Sequence, residues 1–396
     1  MSIFSRDLVK KAPIVIFDIG STSVGGALVD IGDGHKSIPT LIWAERRYVP
    51  LGEHLNSDRL VSSIKKVTKE IAEHMAKHTT KHPLRVYCVL SSPWYVSQTR
   101  EAKFDSLKPV LVTKKLVDQI VKKEAGLVME AEERKYGYSG VEIIEKNNME
   151  IKLNGYATNA PYGKNAEELS VFLYTSVGQV DFNDAITQIM GNIFHAEDVE
   201  FHTLSFLSFG VIRDMFPQKE DFMLCDVSGE VTDISIIQDN ILLETVSVPL
   251  GKNFLIRGVM KALSVEKEEA LSLIRLFAED RLNETTFSRL KKILDKIEDE
   301  WMGSVNNALS GLSRYAPFPN DLFLTAGPEA VSWFARVLSK KSENQNMAEK
   351  GLSFSVISVN ATLLRQLVDF KGVVARDPFL MLEAVFVDKL LNLQNS

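Results

Sequence analysis

Asp18, Gly20, Ser21, Thr22 and Ser23 fall within six residues of one another, inside the run Ile14 to Asp30 (IVIFDIGSTSVGGALVD). A carboxylate at a strand end can position a hydrated divalent cation. Hydroxyls, and backbone N–H groups left open by glycine, can surround an anion. Together they suit a metal-bound phosphate, with Asp18 on the metal side and Gly20, Ser21, Thr22 and Ser23 around the anion. The arrangement returns in Phe222 to Ile237 (FMLCDVSGEVTDISII), where Asp226 would serve the metal and Ser228, Gly229 and Thr232 the phosphate. A third run, Asp321 to Pro328 (DLFLTAGP), ends a strand in the small residues Ala326 and Gly327. Singly, a strand–Asp–turn–strand segment serves equally as a tight hairpin whose Asp and Ser satisfy turn backbone. Two copies in two halves of one chain point to a duplicated architecture with a ligand clamped between them.

The elements that must carry these residues follow from apolar spacing. Ile14–Phe17 and Val24–Val29 read as buried strands, and Leu41–Tyr48 and Leu84–Leu90 as two more. Ser57-Asp58 caps a helix over Arg59–Lys77, with Leu60, Ile64, Val67, Ile71 and Met75 on one side. A long helical pattern follows Thr113, then strand-like runs at Val141–Gly155 and Leu169–Ser176. Helices are predicted over Phe182–Met190, Leu204–Met215, Phe254–Leu263, Lys267–Ala278, Phe287–Leu312, Glu329–Leu338 and Asp377–Leu391. The last has apolar residues all round its axis, which suits a buried helix better than a membrane anchor.

The three motifs, in this order, resemble the first phosphate, second phosphate and adenosine motifs of the actin–sugar kinase–chaperone ATPase superfamily. Within it the chain is similar to the FtsA family of bacterial cell-division proteins. The segment Asn154 to Ala166 (NGYATNAPYGKNA) resembles the N-G-Y … P-x-G-K-x-A signature of that family's inserted subdomain; alone, it also reads as a surface turn. The resemblance implies an α/β, actin-like (ribonuclease-H-like) two-lobed fold with an inserted strand-helix-strand-strand subdomain. It divides the chain into a first lobe over 12–91 and 179–215, the insertion over 92–178, and a second lobe over 216–258 and 317–376. A subdomain reduced to helices covers 259–316, and a helix over 377–396 packs on the first lobe. It also implies ATP with Mg2+, Gly251 beside the second hairpin and Glu269 near the ribose. Yet Glu230 and Val231 stand in a loop that should be rich in glycine and threonine, and Pro328 has no N–H to offer. A carboxylate aimed at a triphosphate costs about 1 kcal/mol or more unless it points away. Weak ATP binding, or none, is therefore expected, with at most very slow hydrolysis and no catalytic residue assigned.

The 396 residues carry a net charge of −6 without a basic domain, so nucleic acid is not the expected partner. Cys88 and Cys225 lie in apolar runs and read as reduced core thiols. Met1–Lys11 lacks the apolar core of a secretory signal, and no apolar run reaches the ~18 residues of a membrane span. The expected place is the cytoplasm, including the inner face of the cell membrane, with membrane contact indirect or through the short N-terminal segment holding Ile3, Phe4 and Leu8. Three readings follow. The first is a division scaffold that self-associates head to tail and links division proteins to the membrane. The second is an adaptor of the PilM type in pilus assembly, binding a peptide of a membrane partner. The third, a small-molecule kinase, is disfavoured by the eroded second loop and the insertion.

Overall fold

The computed structural model describes residues 13–32, 38–50, 57–79, 85–136, 140–340 and 354–394. The N-terminal segment discussed as a membrane contact lies outside them. The first lobe begins with β1 (Ile14–Ile19), β2 (Ser23–Asp30) and β3 (Thr40–Tyr48), then α1 (Ser57–Ala76) and β4 (Arg85–Leu90). The insertion follows as β5 (Tyr95–Leu111), α2 (Lys114–Tyr136), β6 (Val141–Leu153), β7 (Tyr156–Ala157) and β8 (Asn165–Gln179). The chain returns through α3 (Val180–Phe194), β9 (Asp198–Thr203) and α4 (Leu204–Met215). The second lobe holds β10 (Phe222–Val227), β11 (Thr232–Gln238), β12 (Ile241–Val248), α5 (Lys252–Leu263), α6 (Lys267–Ala278) and α7 (Glu284–Ser310). It continues with β13 (Asp321–Ala326), α8 (Val331–Ser339) and β14 (Ser355–Ser358). The short α9 (Ala361–Leu364) and β15 (Asp369–Phe370) precede the closing α10 (Pro378–Gln394).

The two lobes repeat one sheet. The first runs β15-β3-β2-β1-β4-β9 and the second β12-β11-β10-β13-β14. In each, an antiparallel hairpin (β1–β2, β10–β11) is flanked by a third antiparallel strand and by two parallel ones. Alternation along the central strands decides which core each side chain joins. Val15 and Phe17 of β1 pack with Ile71, Met75, Ile186 and Phe194 under α1 and α3. Ile16 faces the other way, into a core shared by both lobes that also takes Leu207, Phe209, Phe222, Phe323, Leu380 and Met381. In β10, Phe222 and Leu224 join this shared core, while Met223, Cys225 and Val227 turn to the second lobe's own core around Trp301 and Trp333. α10 packs as core against β1, β2, β3 and α4 of the first lobe, in line with its all-round apolar character, and both cysteines are buried and free.

The insertion is a separate sheet, β5-β8-β6-β7, with α2 packed on one face through Val117, Val121 and Ala125. Only helices, α6 and α7, lie between α5 and Pro317 apart from a short turn at Ser313–Tyr315, as the sequence predicts. β5 and β9 have no counterpart among the elements expected from apolar spacing. β5 carries charged residues on both faces, as edge strands do, so no apolar alternation marks it. β9 (DVEFHT) holds two acidic residues and a histidine in six.

Candidate functional site

Both hairpin turns open onto one cavity of about 240 Å³, which also takes in the Gly327-Pro328 turn and the start of α10. Nine of the residues singled out by sequence line it: Asp18, Gly20, Ser21, Thr22, Ser23, Asp226, Ser228, Gly229 and Gly327. The parallel pairing of β1 with β4 and of β10 with β13 brings these strand ends to a common edge. The remaining four lie elsewhere. Thr232 is fully buried, its hydroxyl donating to the Leu250 carbonyl at 2.7 Å, so it supports β12 from within the lobe. Gly251 packs under the second hairpin: a Cβ there would lie 2.5 Å from the Gly229 carbonyl oxygen. Ala326 is buried at the end of β13. Glu269 is exposed on the first turn of α6, and it is Glu268 that reaches a neighbouring chamber of about 250 Å³. Thr22, Tyr48 and Lys252 line both chambers and form the wall between them.

Residues that sequence reasoning passed over fill the centre. Arg46, from β3, is nearly buried, with 12% of its side chain exposed. It donates to Asp18 Oδ2 at 2.6 Å, to both oxygens of Asp377 at 2.5 and 3.0 Å, and to Ser23 Oγ at 3.0 Å. Its guanidinium lies 5.1 Å from the centre of the Phe379 ring. Asp377 in turn caps α10, accepting from the N–H groups of Phe379 and Leu380. A second pair, Lys252 Nζ to Glu329 Oε1 at 2.5 Å, spans α5 and the turn after β13, and Lys252 Nζ stands 5.1 Å over the Tyr48 ring. An Arg in a strand otherwise read for its apolar residues, and an Asp before a proline, give no local signal of this role.

The electrostatics follow from burial. Asp18 Oδ1 and Asp226 Oδ1 are buried without a hydrogen-bond partner. Burial raises the Asp18 pKa against the pull of Arg46, and raises that of Asp226 further, with Asp233 and Asp18 adding repulsion. Glu383 on α10 is fully buried with both oxygens unpartnered, and burial together with Asp18 holds its pKa well above the carboxylate range.

The fold implies ATP with Mg2+, and the residues present do not fit it. The hairpin tips touch: Ser21 Oγ is 3.4 Å from Ser228 Oγ, and the Glu230 N–H donates to Ser21 Oγ at 3.1 Å. A phosphate bridging both loops needs a hydrogen bond of about 2.8 Å on each side as well as its own width. A Cβ on Gly229 would lie 1.9 Å from Thr22 Cγ2, so glycine here serves contact between the loops. Arg46 holds one oxygen of Asp18, and Lys252, which lines both chambers, is paired with Glu329 of the second. Among the described residues no three His, Cys, Asp or Glu side chains converge on a metal-sized point.

Glu230 corrects one expectation. Its carboxylate turns away from the cavity, accepting from Arg257 at 2.6 and 2.9 Å and from Asn253 at 2.7 Å. Repulsion from Glu230 is therefore not what keeps a triphosphate out. Glu230→Gln should leave nucleotide affinity unchanged and lower stability by about 1–3 kcal/mol. Thermal unfolding and a nucleotide titration of the same preparation check both halves, and a gain in affinity would count against this placement.

No protein-family model matches the chain, and no curated protein matches it by sequence. Solved structures do. The PilM–PilN type IV pilus biogenesis complex aligns with a TM-score of 0.57 and 15% identity, covering 96% of this chain and 98% of that one. The ethanolamine utilization protein EutJ from Carboxydothermus hydrogenoformans aligns at 0.42 and 11%, over 94% and 88%. A Bacteroides thetaiotaomicron protein described by its actin-like ATPase fold aligns at 0.39 and 10%, over 98% and 99%. The chain has the actin-like ATPase fold, α/β and two-lobed, with a strand-helix-strand-strand insertion. Likeness at these identities defines the fold alone. Among the described residues, no helix is long and apolar enough to cross a membrane.

Proposed function

We propose that this chain is a nucleotide-independent adaptor on the actin fold, working through protein contacts in a membrane-associated assembly of the pilus type. One observation carries the reading: the cleft between the hairpins is narrowed and its charged groups are taken up by the chain's own ion pairs, Arg46 with Asp18 and Asp377 and Lys252 with Glu329. A kinase or ATPase needs that space for its substrate. The pilus-type reading is supported by the PilM–PilN likeness, which runs the full length of both chains, insertion included. On it, the partner is a peptide of a membrane protein and the chain itself acts as a monomer.

A second reading, the self-associating division scaffold, is favoured by the far end of the insertion. Tyr156 and Tyr162 in the Asn154–Ala166 segment are 82% and 50% exposed, and Leu111 beside them is 54% exposed. Asn154 Oδ1 accepts from the N–H groups of Glu167 and Glu168, fixing this tip in shape. A head-to-tail contact made there is heterologous and need not close, giving short filaments.

Equilibrium dialysis with radiolabelled ATP, with and without Mg2+, tests the shared part. Stoichiometric binding with Mg2+-dependent hydrolysis would overturn it. Sedimentation across a concentration series separates the two readings: an unchanging monomer supports the pilus-type adaptor. Growth with concentration that disappears when residues 92–178 are removed supports the scaffold.

A further inference from the structure

We propose that Arg46 is a resident replacement for a bound metal ion: its guanidinium occupies the cation position beside Asp18, and removing it converts the cleft into a divalent-cation site. The inference rests on the cleft being nucleotide-independent, as above, and adds what makes it so.

The case is geometric. Asp18 lies at the end of β1, 3% exposed, with Oδ1 buried and unpartnered. A carboxylate so placed needs a cation or a proton. Arg46 supplies the cation at 2.6 Å and reaches it from β3, two strands away in the sheet. The same guanidinium makes a bidentate pair with Asp377 and a hydrogen bond to Ser23. Its planar fork thus joins the first hairpin, the third strand and the N-terminus of α10 in one contact set, which a lysine could not do.

Two oxygens in the same cavity remain unsatisfied: Asp18 Oδ1 and Asp226 Oδ1, one from each hairpin. Glu383 adds two more behind them. This is an oxygen-rich pocket with the Arg46 guanidinium at its centre; exposed Arg376 lines its edge, and the buried cation Lys252 is committed to Glu329. Hard divalent ions take oxygen ligands, and Mg2+ is content with one or two carboxylates and several waters. With Arg46 gone, the vacated volume admits those waters and frees the second oxygen of Asp18.

The test compares the wild-type chain with Arg46→Ala and with Arg46→Ala/Asp377→Asn, the second change removing a carboxylate that the first leaves unpaired. Mn2+ uptake is read by electron paramagnetic resonance, and thermal unfolding is followed with Mg2+ against NaCl of equal ionic strength. The wild type should bind no Mn2+ and unfold at the same temperature in either salt. The double variant should take up roughly one Mn2+ per chain. Its midpoint should rise by roughly 5 °C in saturating Mg2+. Both effects should disappear when Asp18→Asn is added. Stoichiometric Mn2+ binding by the wild type, or a folded double variant that binds none, would overturn the role given to Arg46. A double variant that binds none while the wild type stays free of ATP leaves the adaptor reading standing. ATP binding by the wild type overturns that reading first.

Discussion

Trp301→Ala is expected to lower the stability of the chain by about 3–5 kcal/mol. Trp301 sits mid-way along α7, on the buried line Leu290, Leu294, Ile297, Trp301, Val305 and Leu309, whose spacing of three to four residues makes one helical stripe. It is 1% exposed and packs 5.1 Å from Phe334. Its indole N–H donates to the Leu250 carbonyl at 3.2 Å and lies 3.3 Å from Thr232 Oγ1. Alanine would leave a large cavity where α7 meets β11 and β12. Trp301→Phe keeps most of the volume, and Thr232 still donates to Leu250, so a loss of about 1–2 kcal/mol is expected. Urea unfolding with an unchanged m-value checks the pair. A Trp301→Ala loss below about 1 kcal/mol would mean that α7 does not anchor the lobe.

The second large effect is a pH dependence. His202 on β9 lies under the insertion, 12% of its side chain exposed, with Nδ1 2.8 Å from Glu145 Oε1 on β6 and Nε2 3.8 Å from Glu200 Oε2. Glu145 Oε2 also accepts from the Thr203 N–H at 3.0 Å and its hydroxyl at 2.6 Å. Tyr87 and Phe386 enclose the ring. Burial alone would lower the His202 pKa, but the hydrogen bond to Glu145 and the nearby Glu200 carboxylate outweigh it and push it up to about 9. The unfolded value is near 6.5, so the folded chain holds this proton more tightly. The resulting stabilisation is fully present below pH ~6.5 and is lost as pH rises through about 9; its full size is about 3 kcal/mol. Glu145→Gln should therefore cost on the order of 3 kcal/mol at neutral pH and much less at pH ~10. Unfolding midpoints of the two proteins across that range should converge at the alkaline end. Parallel curves would show that His202 is not charged in the folded chain.

Much of the architecture could be read from the chain because burial wrote it in apolar spacing. β1 and β10 are buried on both faces, so they appear as continuous apolar runs before an Asp, and the helices of the second lobe keep a helical stripe. The two hairpins were legible as a duplicated pair for the same reason. β5 was not, since an edge strand with solvent along it has no reason to alternate. The site was legible only in part. Turn residues announce themselves by type, and nine of them meet in the cavity. The charged wall of the cavity comes from a strand and a helix cap 331 residues apart, Arg46 and Asp377, whose meeting depends on tertiary folding alone. For Glu230 the residue type was visible but not its direction, which Arg257 and Asn253 on α5 decide.

The insertion is joined to the first lobe through strands of unusual length. β5 has 17 residues and β8 has 15, paired antiparallel from Tyr95–Gly178 at the root to Leu111–Asn165 at the far end. At about 3.3 Å per residue, β8 reaches some 50 Å. Such a ribbon behaves as a lever: a rotation of about 5° at its base would carry the tip by about 4 Å. The Glu145–His202 contact lies near that base, where β6 pairs Glu145 with Ser176, and Thr99 braces β5 against the Leu242 carbonyl of the other lobe. A load applied to Tyr156 or Tyr162 is thus geared down to small motions at a pivot where the buried His202 imidazolium is one of several ties, beside Thr99 on Leu242 and Tyr174 on Thr203 and Ser205. In mechanical terms the stiffness of the whole arm resides at its fulcrum, and alkaline titration of one histidine should make it more compliant without touching the tip.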